Sequence, residues 1–132
     1  MPLLEGRKAL IIEDDRISVE VLQRLLERLS VEATVLLHSS NITSQLGTLS
    51  RPDVIFLDLE MPIINGYAVL RVIQEIPTFK DVPVVAYTTH TSHMNSAAAA
   101  GFHSFLGKPL DSTRFSNQLL RILENEPVWE VP

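Results

Sequence analysis

The sequence predicts a doubly wound α/β domain built on a five-stranded parallel sheet, with helices on both faces, and three observations predict it. Short continuous apolar runs alternate with amphipathic stretches, as happens when crossover helices bury parallel strands on both sides. Five such pairs can be counted along the 132 residues. The residues directly after the apolar runs are acidic, hydroxylated or basic, at the strand ends where open parallel sheets gather their ligands.

The elements follow in order. Ala9-Leu10-Ile11-Ile12 is a buried strand that stops at Glu13-Asp14-Asp15, and Ile17, Val21, Leu25 and Leu29 then recur every fourth residue as the stripe of a first helix. Ala33 to Leu37 gives a second strand, and Asn41 to Leu49 a second helix rich in Ser and Thr. Val54 to Leu57 is the clearest buried strand and ends on Asp58. Asn65-Gly66 opens a third helix with Val69, Leu70, Ile73 and Ile76 inward, closed by Pro77. Val82 to Tyr87 makes the fourth strand and Ser96 to Ala100 an alanine-rich helical piece, stopped by Gly101 as a left-handed cap. Phe102 to Gly107 is the fifth strand. Asp111 or Ser112 caps a last helix striped by Phe115, Leu119, Ile122 and Leu123. The expected domain is residues 1–124, and 125–132 form a proline-bounded tail whose Trp129 packs on the domain, meets a partner or is disordered.

Composition narrows the function classes. Eleven basic against 16 acidic residues give a net charge of −5, with no basic cluster, which argues against direct nucleic-acid binding. The absence of cysteine excludes disulfides, thiolate metal sites and cysteine nucleophiles. The apolar runs fall far short of the ~20 residues that span a bilayer, and MPLLEGRK has no signal-peptide core, so a cytoplasmic protein is expected.

The strand ends carry the chemistry. Glu13-Asp14-Asp15, Asp58, Thr88-Thr89 and Lys108-Pro109 put carboxylates, a hydroxyl and an ammonium at one edge of the sheet. Crowded carboxylates repel when ionised, so the cluster implies a cation, and an all-oxygen set suits Mg2+. A carboxylate can also attack a phosphoryl group if opposite charge is preorganised around the transferred oxygens. His90 and His93 stand three apart, but with no third ligand visible they read as surface histidines. Asp15 reads as a helix cap.

At these positions the chain resembles the response-regulator receiver family of two-component systems, over roughly Lys8 to Leu123. The matching pieces are Ile-Ile-Glu-Asp-Asp at 11–15, Asp-Leu-Glu-Met-Pro at 58–62 with Asn65-Gly66, Tyr-Thr-Thr at 87–89, and Lys108-Pro109. Asp14 to Asp58 spans 44 positions and Asp58 to Thr88 spans 30. The resemblance implies a flavodoxin-like strand order 2-1-3-4-5 and Asp58 as phosphoacceptor. It implies Glu13 and Asp14 as the acidic pair, with Asp14 the more direct metal ligand beside Asp58. Glu60 would give its backbone carbonyl to Mg2+, for which Mn2+ is a substitute. Thr88 would donate to the phosphoryl group, Lys108 would pair with it, and the Lys108-Pro109 bond would be cis. Phe105 occupies the position of the family's switch aromatic, without the tyrosine hydroxyl.

The implied function is a stand-alone switch. It would take its phosphoryl group from a histidine kinase or phosphotransfer protein, as a monomer or a phosphorylation-dependent dimer, and signal by binding a downstream protein. It would catalyse only its own phosphorylation and dephosphorylation. The alternatives are a phosphorylation-independent module of the same fold, or the receiver piece of a longer regulator. One departure stands out: Thr88 to Lys108 spans 20 residues, about two fewer than is common in the family, so the Thr89–Ala100 segment is shortened.

Overall fold

The computed structural model describes residues 4–36, 42–60 and 65–131. Strands and helices alternate as β1 (Lys8–Ile12), α1 (Arg16–Arg28), β2 (Glu32–Leu36), α2 (Ile42–Gly47), β3 (Val54–Leu57), α3 (Gly66–Gln74), β4 (Val84–Thr88), α4 (Met94–Ala100), β5 (Ser104–Gly107), α5 (Phe115–Leu123) and β6 (Trp129–Glu130). All neighbouring strands pair in parallel, in the order β2-β1-β3-β4-β5-β6. The expected order therefore holds, with one strand more than expected.

Side chains alternate across the pleat and so feed two cores. Ile11, Val54, Phe56, Val85, Tyr87 and Leu106 face α1 and α5. Leu10, Ile12, Ile55, Leu57, Ala86 and Phe105 face the layer of α2, α3 and α4. Both faces are covered, which is why these strands read as unbroken apolar runs instead of alternating ones.

Several boundaries move for identifiable reasons. β4 starts at Val84, because Val82 closes a turn onto the carbonyl of Phe79 and Asp81 sits at φ +66°. β5 starts at Ser104, because the Phe102 amide is spent on the carbonyl of Ala97 at the end of α4. Helix α4 begins two residues early, at Met94, after a single 3-10 turn at Thr91–His93, and ends on Gly101 at φ +104° as expected. The connection from β4 to β5 thus runs through a tight turn and a seven-residue helix. Leu37 and Asn41, at the expected ends of the second strand and helix, lie outside the described residues.

Two readings of helix faces and caps are corrected. On α1 the inward face is Val19, Leu22, Leu25 and Leu26, while Ile17 and Val21 are 74% and 45% exposed. A strict four-residue repeat drifts about 40° per step around a 3.6-residue helix, so the expected stripe could not stay on one face. Asp111 does not cap α5. Its carboxylate accepts from the Thr113 amide at 2.8 Å and hydroxyl at 2.6 Å, closing the preceding turn, and the helix starts after Arg114 with no side-chain cap.

The tail is the largest departure. Trp129 and Glu130 pair with Phe105 and Leu106, and the Phe105 amide donates to the Val128 carbonyl at 2.8 Å. Buried Ser104 holds the Val128 amide through its hydroxyl at 2.9 Å. Glu130 is gripped by Arg114, just before α5, and from α5 by Gln118 at 2.7 Å and Arg121 at 3.2 Å, residues spaced by four and three and so on one side. These partners, the Gln118 bond first, hold the Glu130 carboxyl below the usual carboxylate range.

Candidate functional site

Parallel strands in register deliver their carboxyl ends to one rim. Ile12 lies beside Leu57, so Glu13 and Asp58, each the next residue, emerge as neighbours. Thr88 closes β4 opposite Gly107, so Lys108 follows one step beyond. Asp15 caps α1, accepting from the Ser18 hydroxyl at 2.7 Å, and that bond holds its carboxyl below the ordinary value.

Glu13, Asp14 and Asp58 each bring a carboxylate oxygen within 4.8 Å of the others. Glu13 is fully buried. A buried carboxylate needs partners, and Glu13 has them: the amides of Asp14 and Asp15 each donate to its Oε1 at 3.1 Å, and the Lys108 ammonium donates to Oε2 at 2.6 Å. Asp58 is nearly as buried, and its Oδ1 accepts from the Glu60 amide at 3.2 Å. Burial, followed by the neighbouring Glu13, pushes the Asp58 carboxyl up to about 7, against the pull of Lys108. A cation in this all-oxygen nest would reverse that push.

Lys108 reaches the cleft along a fixed path. Its ammonium lies 4.3 Å from the centre of the Tyr87 ring and 3.1 Å from the Ser18 hydroxyl. Tyr87 is itself fixed, donating its hydroxyl to the Ser18 carbonyl at 2.9 Å, and burial drives its phenol upward. The Lys108-Pro109 bond is cis, as expected. The ion-pair partner of Lys108 is Glu13.

The other expected residues are placed as follows. Thr88 is buried, and its Oγ1 accepts from the His90 amide at 3.1 Å. Phe105 is buried in an apolar setting and stacks on Trp129, ring centres 6.3 Å apart and planes 13° apart. Glu60 is exposed, with its amide toward Asp58 and its side chain toward His90 at 3.1 Å and His93 at 3.5 Å. The two histidines therefore have the third ligand-type neighbour that the sequence did not reveal. Met61 and Pro62 lie outside the described residues.

Sequence reasoning gave no part in the site to Ser18, Tyr87, Trp129 or Gly66. Ser18 and Tyr87 position Lys108, and Trp129 covers Phe105. Gly66 lets α3 approach Asp58, since a Cβ there would stand 2.5 Å from the Asp58 carbonyl oxygen. Asn65 caps the same helix, accepting from the Ala68 amide at 3.0 Å. A signal existed for Tyr87, whose parity along β4 matches inward Val85, but a tyrosine ring under a lysine is invisible to periodicity.

Comparison with known proteins matches this arrangement. The family model described as the response regulator receiver domain covers residues 9–120. Stress response regulator protein 1 of Lodderomyces elongisporus is 32% identical over 115 residues, 84% of this chain and 32% of that protein. Protein RcaC of Microchaete diplosiphon is 28% identical over 124 residues, 92% of this chain and 19% of that protein. The chain thus spans a third or less of these two relatives. Among solved structures, the receiver domain of a Pseudomonas aeruginosa sensor histidine kinase, described with magnesium in its cleft, superposes with a TM-score of 0.80 at 23% identity, covering 90% of this chain and 98% of that one. A chemotaxis response regulator of Vibrio cholerae gives 0.78 at 22%, covering 88% and 98%. The parallel sheet, the acidic nest at its rim and the matched span agree: the chain belongs to the response-regulator receiver family.

Proposed function

We propose that this receiver accepts a phosphoryl group on Asp58 from a phosphohistidine of a histidine kinase or phosphotransfer protein, and signals by changing what it binds. The observation that carries this reading is the convergence of Glu13, Asp14 and Asp58 within 4.8 Å, with the Lys108 ammonium 2.6 Å from Glu13. Two buried carboxylates beside a half-buried third, with the Lys108 ammonium as cationic partner, carry more negative charge than they can hold unaided.

The donor set fits Mg2+: Glu13, Asp14, Asp58 and the backbone carbonyl of Glu60 are hard oxygen ligands, with Asp14 the direct ligand and Mn2+ a workable substitute. When bound, the cation neutralises charge on the transferred oxygens. The chain's own groups do the rest. An Asp58 oxygen forms the new P–O bond as the P–N bond of the donor breaks, and the donor imidazole leaves with that electron pair. Lys108 exchanges Glu13 for a phosphoryl oxygen, and the Thr88 hydroxyl donates to another. Because the Thr88 oxygen also holds the His90 amide, its movement would pull on the turn leading into α4. Phe105, on the adjacent strand, would pass the change to the face made by α4, β5 and α5. No reaction beyond its own phosphorylation and dephosphorylation is assigned to the chain.

Residues 1–124 would make the receiver unit and 125–132 its tail, which carries β6 (Trp129–Glu130), with the cytoplasm as the place of work. The test is incubation with acetyl phosphate and Mg2+, read by intact mass. One added phosphoryl group per chain is expected for the wild type and none for Asp58→Asn. No gain in either would leave a phosphorylation-independent interaction module in its place, and equal gain in both would overturn Asp58 as the acceptor.

A further inference from the structure

A second group of ligand-type side chains converges on the rim beside the acidic nest. Glu60 arrives from the segment after β3, and His90 and His93 from the turn between β4 and α4. Glu60 Oε2 is 3.1 Å from His90 Nε2, and Glu60 Oε1 is 3.5 Å from His93 Nε2. One ligand atom from each residue lies within 4.8 Å of the other two. The 3-10 turn at Thr91–His93 explains the meeting of the histidines, because three residues per turn place i and i+3 on the same side. Their rings cross at 79° with centres 6.0 Å apart, so both nitrogens face the carboxylate without stacking.

The far side of His93 is also organised. Its Nδ1 lies 3.4 Å from the Tyr67 hydroxyl, which is 2.8 Å from the Ser96 hydroxyl, which in turn donates to the His93 carbonyl at 3.0 Å. A histidine that uses Nδ1–H toward an outer oxygen leaves the Nε2 lone pair for a metal, the usual arrangement behind a metal-bound imidazole.

We propose that Glu60, His90 and His93 form a binding site for a divalent transition metal of the Zn2+ class, separate from the oxygen-only nest at Glu13, Asp14 and Asp58. Two imidazole nitrogens and one carboxylate oxygen favour borderline cations over Mg2+, and three protein ligands leave a coordination position open for water. The ligands are between a third and just over half exposed, so assembling the site costs little desolvation. They also come from two different connections. A bound ion would tie the segment two residues past Asp58 to the turn two residues past Thr88, where the His90 amide holds the Thr88 hydroxyl at 3.1 Å. The ion would be held by the side chains of Glu60, His90 and His93, none of which takes a side-chain part in the phosphoryl transfer proposed above, so the two proposals fail separately.

The experiment is a Zn2+ titration against a chromophoric chelator in saturating Mg2+, repeated with Co2+ and read by its visible absorption. One equivalent of Zn2+ is expected for the wild type and for Asp58→Asn, together with a Co2+ spectrum of a nitrogen-containing site. His90→Ala and His93→Ala should each weaken binding at least tenfold, and Tyr67→Phe by a few-fold, as loss of an outer partner does. No stoichiometric Zn2+ binding, wild-type affinity in the His90→Ala/His93→Ala double variant, or loss of Zn2+ in Asp58→Asn would each overturn the proposal. The last result would place the ion in the acidic nest.

Discussion

The cleft at the strand ends and the β5–β6 edge of the same sheet are held by opposite means. In the cleft, fully buried Glu13 depends on a single ammonium 2.6 Å away and on two amides at 3.1 Å. At the edge, a two-residue strand is held by backbone pairing, by a ring stacked on Phe105, and by a half-buried grip on Glu130. Electrostatic sites are tightly set and costly to half-dismantle, because removing one partner strands the other. Apolar edges lose stability in proportion to what is removed. The difference teaches where this receiver stores charge and where it stores area.

Breaking the cleft side should give the largest effect. Lys108→Met leaves the Glu13 carboxylate buried with amide partners alone, and a loss of about 3–5 kcal/mol is expected in urea melts at neutral pH. Adding Glu13→Gln in the same chain should recover most of it, since no charge then remains to be stranded. A single-variant loss under about 1 kcal/mol, or no recovery in the double variant, would mean that the ion pair is not what stabilises the cleft.

The edge offers the contrasting case. Trp129→Ala removes a half-buried ring from the Phe105 side of the sheet and should cost about 2 kcal/mol, with no dependence on Mg2+ or salt. Hydrogen exchange sharpens the point, because the Phe105 amide donates to the Val128 carbonyl and should lose protection while the amides of β1 and β3 keep theirs. Unchanged exchange at Phe105 would show that β6 pairs without its tryptophan.

What the sequence made legible divides along the same line. The cleft could be read because each candidate residue stands at the end of an apolar run, so Glu13, Asp58, Thr88 and Lys108 mark the ends of β1, β3, β4 and β5. The strand order and sheet class followed from the alternation and from the resemblance. The edge could not be read, because two residues carry no period, and what makes Trp129-Glu130 a strand is Ser104, Gln118 and Arg121 far along the chain. Ile17 and Val21 misled for a geometric reason, four not being 3.6. Glu60 was legible as a backbone ligand candidate but not as a neighbour of His90 and His93, since that meeting depends on how a shortened connection turns before α4.

The smallest effect tests the electrostatics of the cleft through pH. In the metal-free protein Asp58 sits at about 7 when folded, against an ordinary value of 3.8, so the folded state holds this proton more tightly than the unfolded chain. A raised carboxyl contributes stability that is present below 3.8 and lost as pH rises through about 7. Asp58→Asn removes the titration. The variant should therefore match the wild type near the acid end and exceed it above neutrality, by about 1 kcal/mol or roughly 3–6 °C in Tm once solvent screening is allowed for. Millimolar Mg2+ should close the gap by stabilising the wild type alone, since the cation favours the ionised carboxylate that asparagine lacks. A pH-independent gap would assign the difference to packing around residue 58, and the cleft would then resemble the edge, held by shape more than by charge.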